Sequence, residues 1–432
     1  MDAPNIVIVL CDTLRRDVLD LYGGEVSTRP LLEALGTAVA YRGHSNSFWT
    51  IPSHFSLFTG LPPSRHGVHE APGRNRIEDV MELGRQRHGT TLAWELRKRG
   101  YETIMVSSNV PNVSPSSGLD SGFRTFVPND WASRLNWPRP GLSLADEAAL
   151  GEANERYRGS AAKALIGELR RGGLAALARL AGMYLRPRAV RALAIGGLAV
   201  DKGAAAAVST AAQLARREPF MLFVNLMEAH EPYYYDSKFD YRYATCRRCV
   251  KRELMGYVMS AGACIRAAAW LANAMRSRGL LGRALFVLTS DHGQEFMEHG
   301  ALGHASGHLY EEDVGVPMIV RPPEGVKLAD DACYVGLHEL YGLAIAAASG
   351  EREWSPSCGP GLAESYDGVA PDPSAGKGIR RVAVFEGDRR VAYRLDGGDW
   401  IVEEAVVGGR QLNPRSGETK KIAEGLATAL PQ

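Results

Sequence analysis

The chain has 432 residues and carries 50 Lys and Arg against 49 Asp and Glu, a formal net charge of +1, which gives no electrostatic reason to expect nucleic acid as a partner. Hydrophobic residues at 45% and charged ones at 23% allow a sizeable core and exclude wholesale disorder. The N-terminus lacks the basic start and long apolar stretch of a signal peptide, and charge-free apolar stretches such as Ala192 to Val200 fall short of the ~20 residues of a membrane span, so cytoplasmic residence with reduced cysteines is the expectation.

The length favours one large domain with an appendage or two modest domains. Short apolar runs rich in Val, Ile and Phe occur at Ile6 to Leu10, Thr103 to Val106, Phe220 to Leu226, Ala284 to Leu288 and Val316 to Val320. Such runs suit strands buried on both faces. Helical patterns separate them: Thr91 to Arg99 stops at Gly100 and Glu253 to Arg278 at Gly279, each with cations in its last turn. This alternation predicts an α/β fold with a mostly parallel central sheet flanked by helices, over residues 1–350. Within it, about 130–215 is rich in Ala, Arg and Gly, with Leu174, Leu177 and Leu180 at helical spacing. That pattern predicts a helical insert packed on the core. The sharper alternative is membrane-surface contact through 174–200. Cys246-Arg-Arg-Cys249 has metal-clip spacing but no second pair, and is read as structural or incidental. Residues 351–432 read as a linker, Pro- and Ser-rich from Trp354 to Gly378, then a small antiparallel sheet over Arg381 to Phe385, Arg390 to Leu395 and Trp400 to Val407.

Candidate chemistry gathers just past the strands, where open α/β sheets bind ligands. Asp12 follows the first run, as a cation ligand or a helix N-cap, and Asp291-His292 follows the fourth, offering an oxygen and a nitrogen ligand from one turn. Thr50 precedes Ile51-Pro52-Ser53, which suits a helix N-terminus where the dipole favours an anion. An ordinary N-cap is the alternative there. His230 follows the third run and His304 lies between glycine and alanine, each as a second-metal ligand, a phosphate-binding donor or a general acid.

As an ordered set these segments resemble the sulfatase family of the alkaline phosphatase superfamily. The resemblance rests on Asp12 after the first strand, Thr50-Ile51-Pro52-Ser53 with Ser56-Leu57-Phe58-Thr59-Gly60, and His230-Glu231-Pro232. Thr289-Ser290-Asp291-His292-Gly293, Glu298-His299-Gly300, Gly303-His304, Leu309-Tyr310-Glu311-Glu312 with Val316-Pro317, and Gln411-Leu412-Asn413-Pro414 with Gly417-Glu418 complete it. It implies that Asp12, Thr50, Asp291 and His292 bind a metal and that Thr50 is also the nucleophile. His230 and His304 would contact the transferred group or hold a second ion.

Sulfatases carry at the Thr50 position a Cys or Ser that becomes formylglycine, and an arginine where His54 stands. Threonine cannot supply that aldehyde, and Thr13 replaces the family's second N-terminal aspartate. The pattern is similar to the family's threonine-using phosphodiesterases and phosphoethanolamine transferases. The expectation is a metal-dependent hydrolase or transferase of phosphate-type esters working through a phospho-Thr50 intermediate, with His230 and His304 catalytic and His54 and His230 on the substrate. Mixed oxygen and nitrogen ligation suits zinc or manganese, one ion or two. The substrate would be a small-molecule or lipid- or sugar-linked ester. Rival readings are a sulfatase without formylglycine, a phosphotransferase or mutase, and an inactive binding protein on the same scaffold.

Overall fold

The computed structural model describes residues 3–69, 77–86, 91–131, 200–234, 246–304, 307–329, 333–357, 360–366, 381–396 and 398–430, with single positions between 163 and 182. The chain divides into one unit of 1–129, 203–230 and 239–432 and a second of 130–202 with 231–238. In the second unit the Lys202 ammonium lies 5.8 Å from each of the Trp131 and Tyr233 rings. The expected helical insert, including Leu177, Leu180 and most of 174–200, lies largely outside the described residues.

The first unit holds the sheets. Its strands are β1 (Asn5–Cys11), β2 (Val39–His44), β3 (Glu102–Ser107), β4 (Thr125–Pro128), β5 (Phe220–Leu226), β6 (Ala284–Thr289), β7 (Glu295–Phe296), β8 (Leu302–Gly303), β9 (Gly315–Arg321), β10 (Lys327–Leu328), β11 (Tyr334–Gly336), β12 (Glu353–Trp354), β13 (Gly361–Ser365), β14 (Arg381–Glu386), β15 (Arg389–Asp396), β16 (Asp399–Val407) and β17 (Arg410–Leu412). The main sheet runs β11-β2-β9-β6-β1-β5-β3-β4, with β9 antiparallel to both neighbours and the other pairs parallel. Every residue of β1, β5, β6 and β9 is buried, as continuous apolar runs require when both sheet faces are covered.

The helices are α1 (Arg29–Leu35), α2 (Thr50–Thr59), α3 (Pro63–His66), α4 (Ile77–Gln86), α5 (Leu92–Lys98), α6 (Ala204–Leu214), α7 (Arg247–Ser277), α8 (Glu311–Val314), α9 (Glu339–Ala348) and α10 (Gly417–Leu426). α7 starts six residues earlier than its sequence pattern, because Cys246 accepts the Cys249 N–H and caps it. It is long and apolar enough to cross a membrane, yet 56% of its most apolar window is buried inside the protein, as in a core helix.

Strands β13 to β17 form a separate antiparallel sheet in sequence order. Its first strand corrects the linker reading of Trp354 to Gly378. Gly361–Ser365 pairs with β14 although its flanking residues read as loop. The pairing supplies hydrogen bonds that no local pattern announces. The cysteines also depart from expectation: Cys246 and Cys249 form a disulfide and Cys333 is disulfide-bonded, while Cys11 and Cys264 are free.

Candidate active site

Four adjacent parallel strands, β6, β1, β5 and β3, deliver side chains at their carboxyl ends. Asp291 and His292 follow β6, Asp12 follows β1, His230 follows β5 and Asn109 follows β3. Each strand brings its next residues to the same edge of the sheet, so residues far apart in sequence meet.

Asp12, Asp291 and His292 are fully buried, and a donor atom from each lies within 4.8 Å of the others. Asp12 Oδ2 accepts from Asn109 Nδ2 at 2.8 Å, while its Oδ1 has no hydrogen-bond partner. Asp291 Oδ1 accepts from the Thr13 and His292 amides at 3.2 and 3.0 Å, and its Oδ2 again has none. His292 Nδ1 donates to the Gly293 carbonyl at 2.8 Å, which leaves the Nε2 lone pair facing the carboxylates, 3.5 Å from Asp291 Oδ2. Burial, then the Asp291 charge, raises the Asp12 carboxyl; burial raises Asp291 to about 6 and lowers His292 to about 4. Two buried oxygens without donors and one imidazole lone pair, all converging, fit a divalent cation. Asp12, Asp291 and His292 would hold it.

Thr50 begins α2, and its Oγ1 lies 3.4 Å from His292 Nε2. It is not the N-cap: Trp49 holds that place, extended and without a side-chain cap. The hydroxyl therefore stays available beside the first-turn amides. Ser53 Oγ donates to the Trp49 carbonyl at 2.8 Å and meets Ser45 Oγ at 2.9 Å, which holds the turn into the helix. Gly60, at φ +71°, ends it in the left-handed region. His54, one turn after Thr50, donates from Nδ1 to the Thr50 carbonyl at 2.8 Å. Its ring has no exposed surface, lies edge-on to Phe58 and Phe223, and burial lowers it to about 4.

His304 stands with its ring 4.6 Å from that of His292, and the His230 ring is 5.2 Å from His304. All seven residues singled out by sequence thus lie in one contiguous region: Asp12, Thr50, Asp291 and His292 at its centre, His54 beneath, His230 and His304 to the side. The β7–β8 hairpin carries His304 and is held where Arg15 bonds Glu298 at 2.7 Å and the Gln294 carbonyl at 3.1 Å.

A family profile described as Sulfatase matches residues 4–340. The chain belongs to the sulfatase family. It is thereby an ester hydrolase, of a family whose members usually bind a divalent metal. Similar solved structures include a 2-O GAG sulfatase, at 14% identity over 99% of this chain and 91% of that one with a TM-score of 0.61. A putative sulfatase from Bacteroides thetaiotaomicron matches at 15%, 99% and 91% with 0.56, and a phosphonate monoester hydrolase of Agrobacterium radiobacter at 13%, 99% and 94% with 0.55. At such identity these structures establish the fold. No individually curated protein sequence matches.

Two residues of this sulfatase-family site, Asn109 and Tyr257, escaped the sequence reading, and Thr13 entered it only as the replacement of an aspartate. Asn109 holds Asp12, and its place two residues past β3 was the available signal. Thr13 takes φ 59°, a left-handed conformation that costs a non-glycine residue about 1–3 kcal/mol. Its amide bonds Asp291, its hydroxyl donates to the Ala229 carbonyl at 2.7 Å, and its carbonyl accepts from Tyr257 at 2.8 Å. Tyr257 also accepts the Arg15 N–H at 2.7 Å, so one buried phenol spans the turn that carries Asp12. Nothing local in the sequence of α7 marks that tyrosine.

Proposed function

We propose that this sulfatase-family protein hydrolyses or transfers a phosphate-type ester, with Thr50 as nucleophile. The observation that carries the reading is the position of the Thr50 hydroxyl, at a helix start, 3.4 Å from His292 Nε2 and beside two buried carboxylates whose inner oxygens lack donors. A divalent cation held by Asp12, Asp291, His292 and Thr50 would neutralise the carboxylates, acidify the hydroxyl and polarise the ester. Mixed oxygen and nitrogen donors favour zinc or manganese over calcium.

Thr50, its Oγ1 proton having passed to water, attacks phosphorus. The new Oγ1–P bond forms as the opposite P–O bond breaks and leaves its electron pair on the departing oxygen. His304 or His230 donates a proton to that oxygen. Water, or an acceptor alcohol for a transferase, then attacks the phosphorus of phospho-Thr50 and returns a proton to the same histidine, as the Oγ1–P bond breaks and leaves its electron pair on Thr50 Oγ1. The backbone amides of α2 face the anionic group throughout.

Threonine also favours phosphorus over sulfur as the reacting centre. A hydrated formylglycine expels sulfate by breaking a carbon–oxygen bond, an exit closed to a threonine ester. His54 supplies no guanidinium to the site. The phosphonate monoester hydrolase among the structural neighbours accords with this choice. The test is kcat/KM for matched aryl phosphate, phosphodiester, phosphonate and sulfate esters on one metal-loaded preparation. A phosphorus ester should be best, and a sulfate ester ranking first would replace this reading with a formylglycine-independent sulfatase.

A further inference from the structure

The Cys246–Cys249 pair takes no part in the ester chemistry above, yet its setting differs from that of the other cysteines. Cys246 caps α7, a helix of 31 residues, and its Sγ accepts the Cys249 N–H at 3.3 Å. The first turn of α7 carries no acidic residue, and Arg247, Arg248 and Lys251 there are exposed. Both cysteines are half-buried, so solvent and a thiol reach them. Cys11 and Cys264 are fully buried against each other, and burial holds the Cys11 thiol far above its ordinary range. Cys333 is disulfide-bonded but only 4% exposed. Among the described residues, neither Cys246 nor Cys249 joins a group with metal-holding geometry.

We propose that Cys246–Cys249 is a thiol–disulfide exchange site, with Cys246 as the reacting sulfur and a dithiol or its disulfide as the partner. In the reduced chain a thiolate at Cys246 gains the Cys249 amide, the positive end of the helix dipole and two flanking guanidinium groups. Cys249 stands three residues into the helix, and its sulfur does not cap the first turn.

Exchange then proceeds in two balanced steps. The Cys246 thiolate attacks one sulfur of the partner's disulfide, a mixed disulfide forms, and the partner's other sulfur leaves as a thiolate that takes up a proton. Cys249 loses its proton and attacks Cys246 Sγ, the mixed disulfide breaks, and the partner's second sulfur leaves as a thiolate and is protonated. The Cys246–Cys249 bond is closed, and two electrons and two protons have passed to the partner. The reverse sequence opens the pair with a dithiol as reductant.

The decisive experiment uses the full chain without substitution: graded dithiothreitol at pH 7, rapid alkylation, and mass mapping of each cysteine. Cys246 and Cys249 should be labelled at concentrations at least about tenfold below those that label Cys333. A second arm offers glutathione disulfide as probe to Cys249→Ser and Cys246→Ser. The mixed disulfide on Cys246 should form at least about tenfold faster than the one on Cys249. In Cys249→Ser, the pH profile of Cys246 alkylation should lie at least about one unit below the ordinary thiol value near 8.5, and Arg247→Glu with Arg248→Glu should move it back. Opening together with or after Cys333, trapping chiefly on Cys249, or an ordinary alkylation profile would each overturn the proposal.

Discussion

Around Arg390 every buried charge faces an opposite one, whereas around Asp12 the buried charges are alike. Arg390, fully buried on β15, donates to Glu404 and to the Leu309 carbonyl at 3.0 Å and lies 3.2 Å from Glu311, which Arg16 also meets. That cluster ties the C-terminal sheet to the segment preceding β9 and its charges balance, although Arg390 Nε and Nη1 and Glu311 Oε2 make no hydrogen bond. Asp12 and Asp291 are just as buried, but each aims an oxygen without a partner at the other and at His292. Buried charge is retained in a fold when the protein pairs it or when a ligand does. The first cluster is structure. The second is where a divalent cation would be held.

The largest effect is expected at the reacting oxygen beside the second cluster. Thr50→Ala should lower kcat by ~10³-fold or more, since the proposed covalent role rests on its hydroxyl, and Thr50→Ser should keep part of the rate. Thermal unfolding should place the fold of Thr50→Ala within about 1 kcal/mol of the parent. Parental turnover in Thr50→Ala would mean that water attacks the ester directly.

Asp291→Asn separates the two clusters most sharply. It removes one of two like buried charges, so the chelated protein should be at least as stable to urea as the parent. Zinc or manganese affinity, read by calorimetry or indicator competition, should fall by roughly 100-fold or more through loss of an anionic ligand. If the chelated variant is instead strongly destabilised, the like-charge reading of this cluster is wrong.

Arg390→Met does the reverse. It leaves Glu404 buried without its cation, while Glu311 keeps Arg16, and should cost about 3–5 kcal/mol in urea unfolding. Pairing it with Glu404→Gln should restore a large part of that loss. A cost below about 1 kcal/mol for the single variant would show that the cluster is not the structural tie described here.

The smallest expected effect is a pH slope. His44, stacked on Phe385 with ring centroids 3.9 Å apart, is pushed down to about 3 by burial and then by His338. The folded state keeps it neutral while the unfolded chain binds a proton below about 6.5. Stability from this group is therefore whole above about 6.5 and falls with pH down to about 3, by up to about 1.4 kcal/mol per pH unit. His44→Phe should flatten the slope of urea stability between pH 6 and 4, and an unchanged slope would remove His44 from the account.

Much of the scaffold was legible because it repeats a physical requirement. A strand covered on both faces must be apolar along its length, so β1, β3, β5, β6 and β9 announced themselves within a residue or two at each end. Strands that depend on a partner did not. β13 sits in a stretch that reads as loop, and the edge strands β4 and β11, of four and three residues, carry too little pattern to register. Asp12, Asp291 and His292 were legible as candidates because each stands beyond a strand, whereas Thr50, at a helix start, drew its role from the family resemblance. Asn109 stood in an equivalent place but lacks the charge that draws attention to a ligand.

By itself, then, the order of residues determined the sheet-forming runs, the helix ends at Gly100 and Gly279, and the residue types that could meet a cation or carry an ester. Only the tertiary structure decided which oxygens of Asp12 and Asp291 remain without donors, that Thr13 takes a left-handed turn, and that Tyr257 reaches across more than two hundred residues to hold it. It also decided that Cys246 and Cys249 are joined. The reason is the range of the forces involved. Apolar periodicity and capping act between neighbours in the chain and leave their mark there, whereas burial, charge pairing and hydrogen-bond satisfaction depend on residues that folding alone brings together.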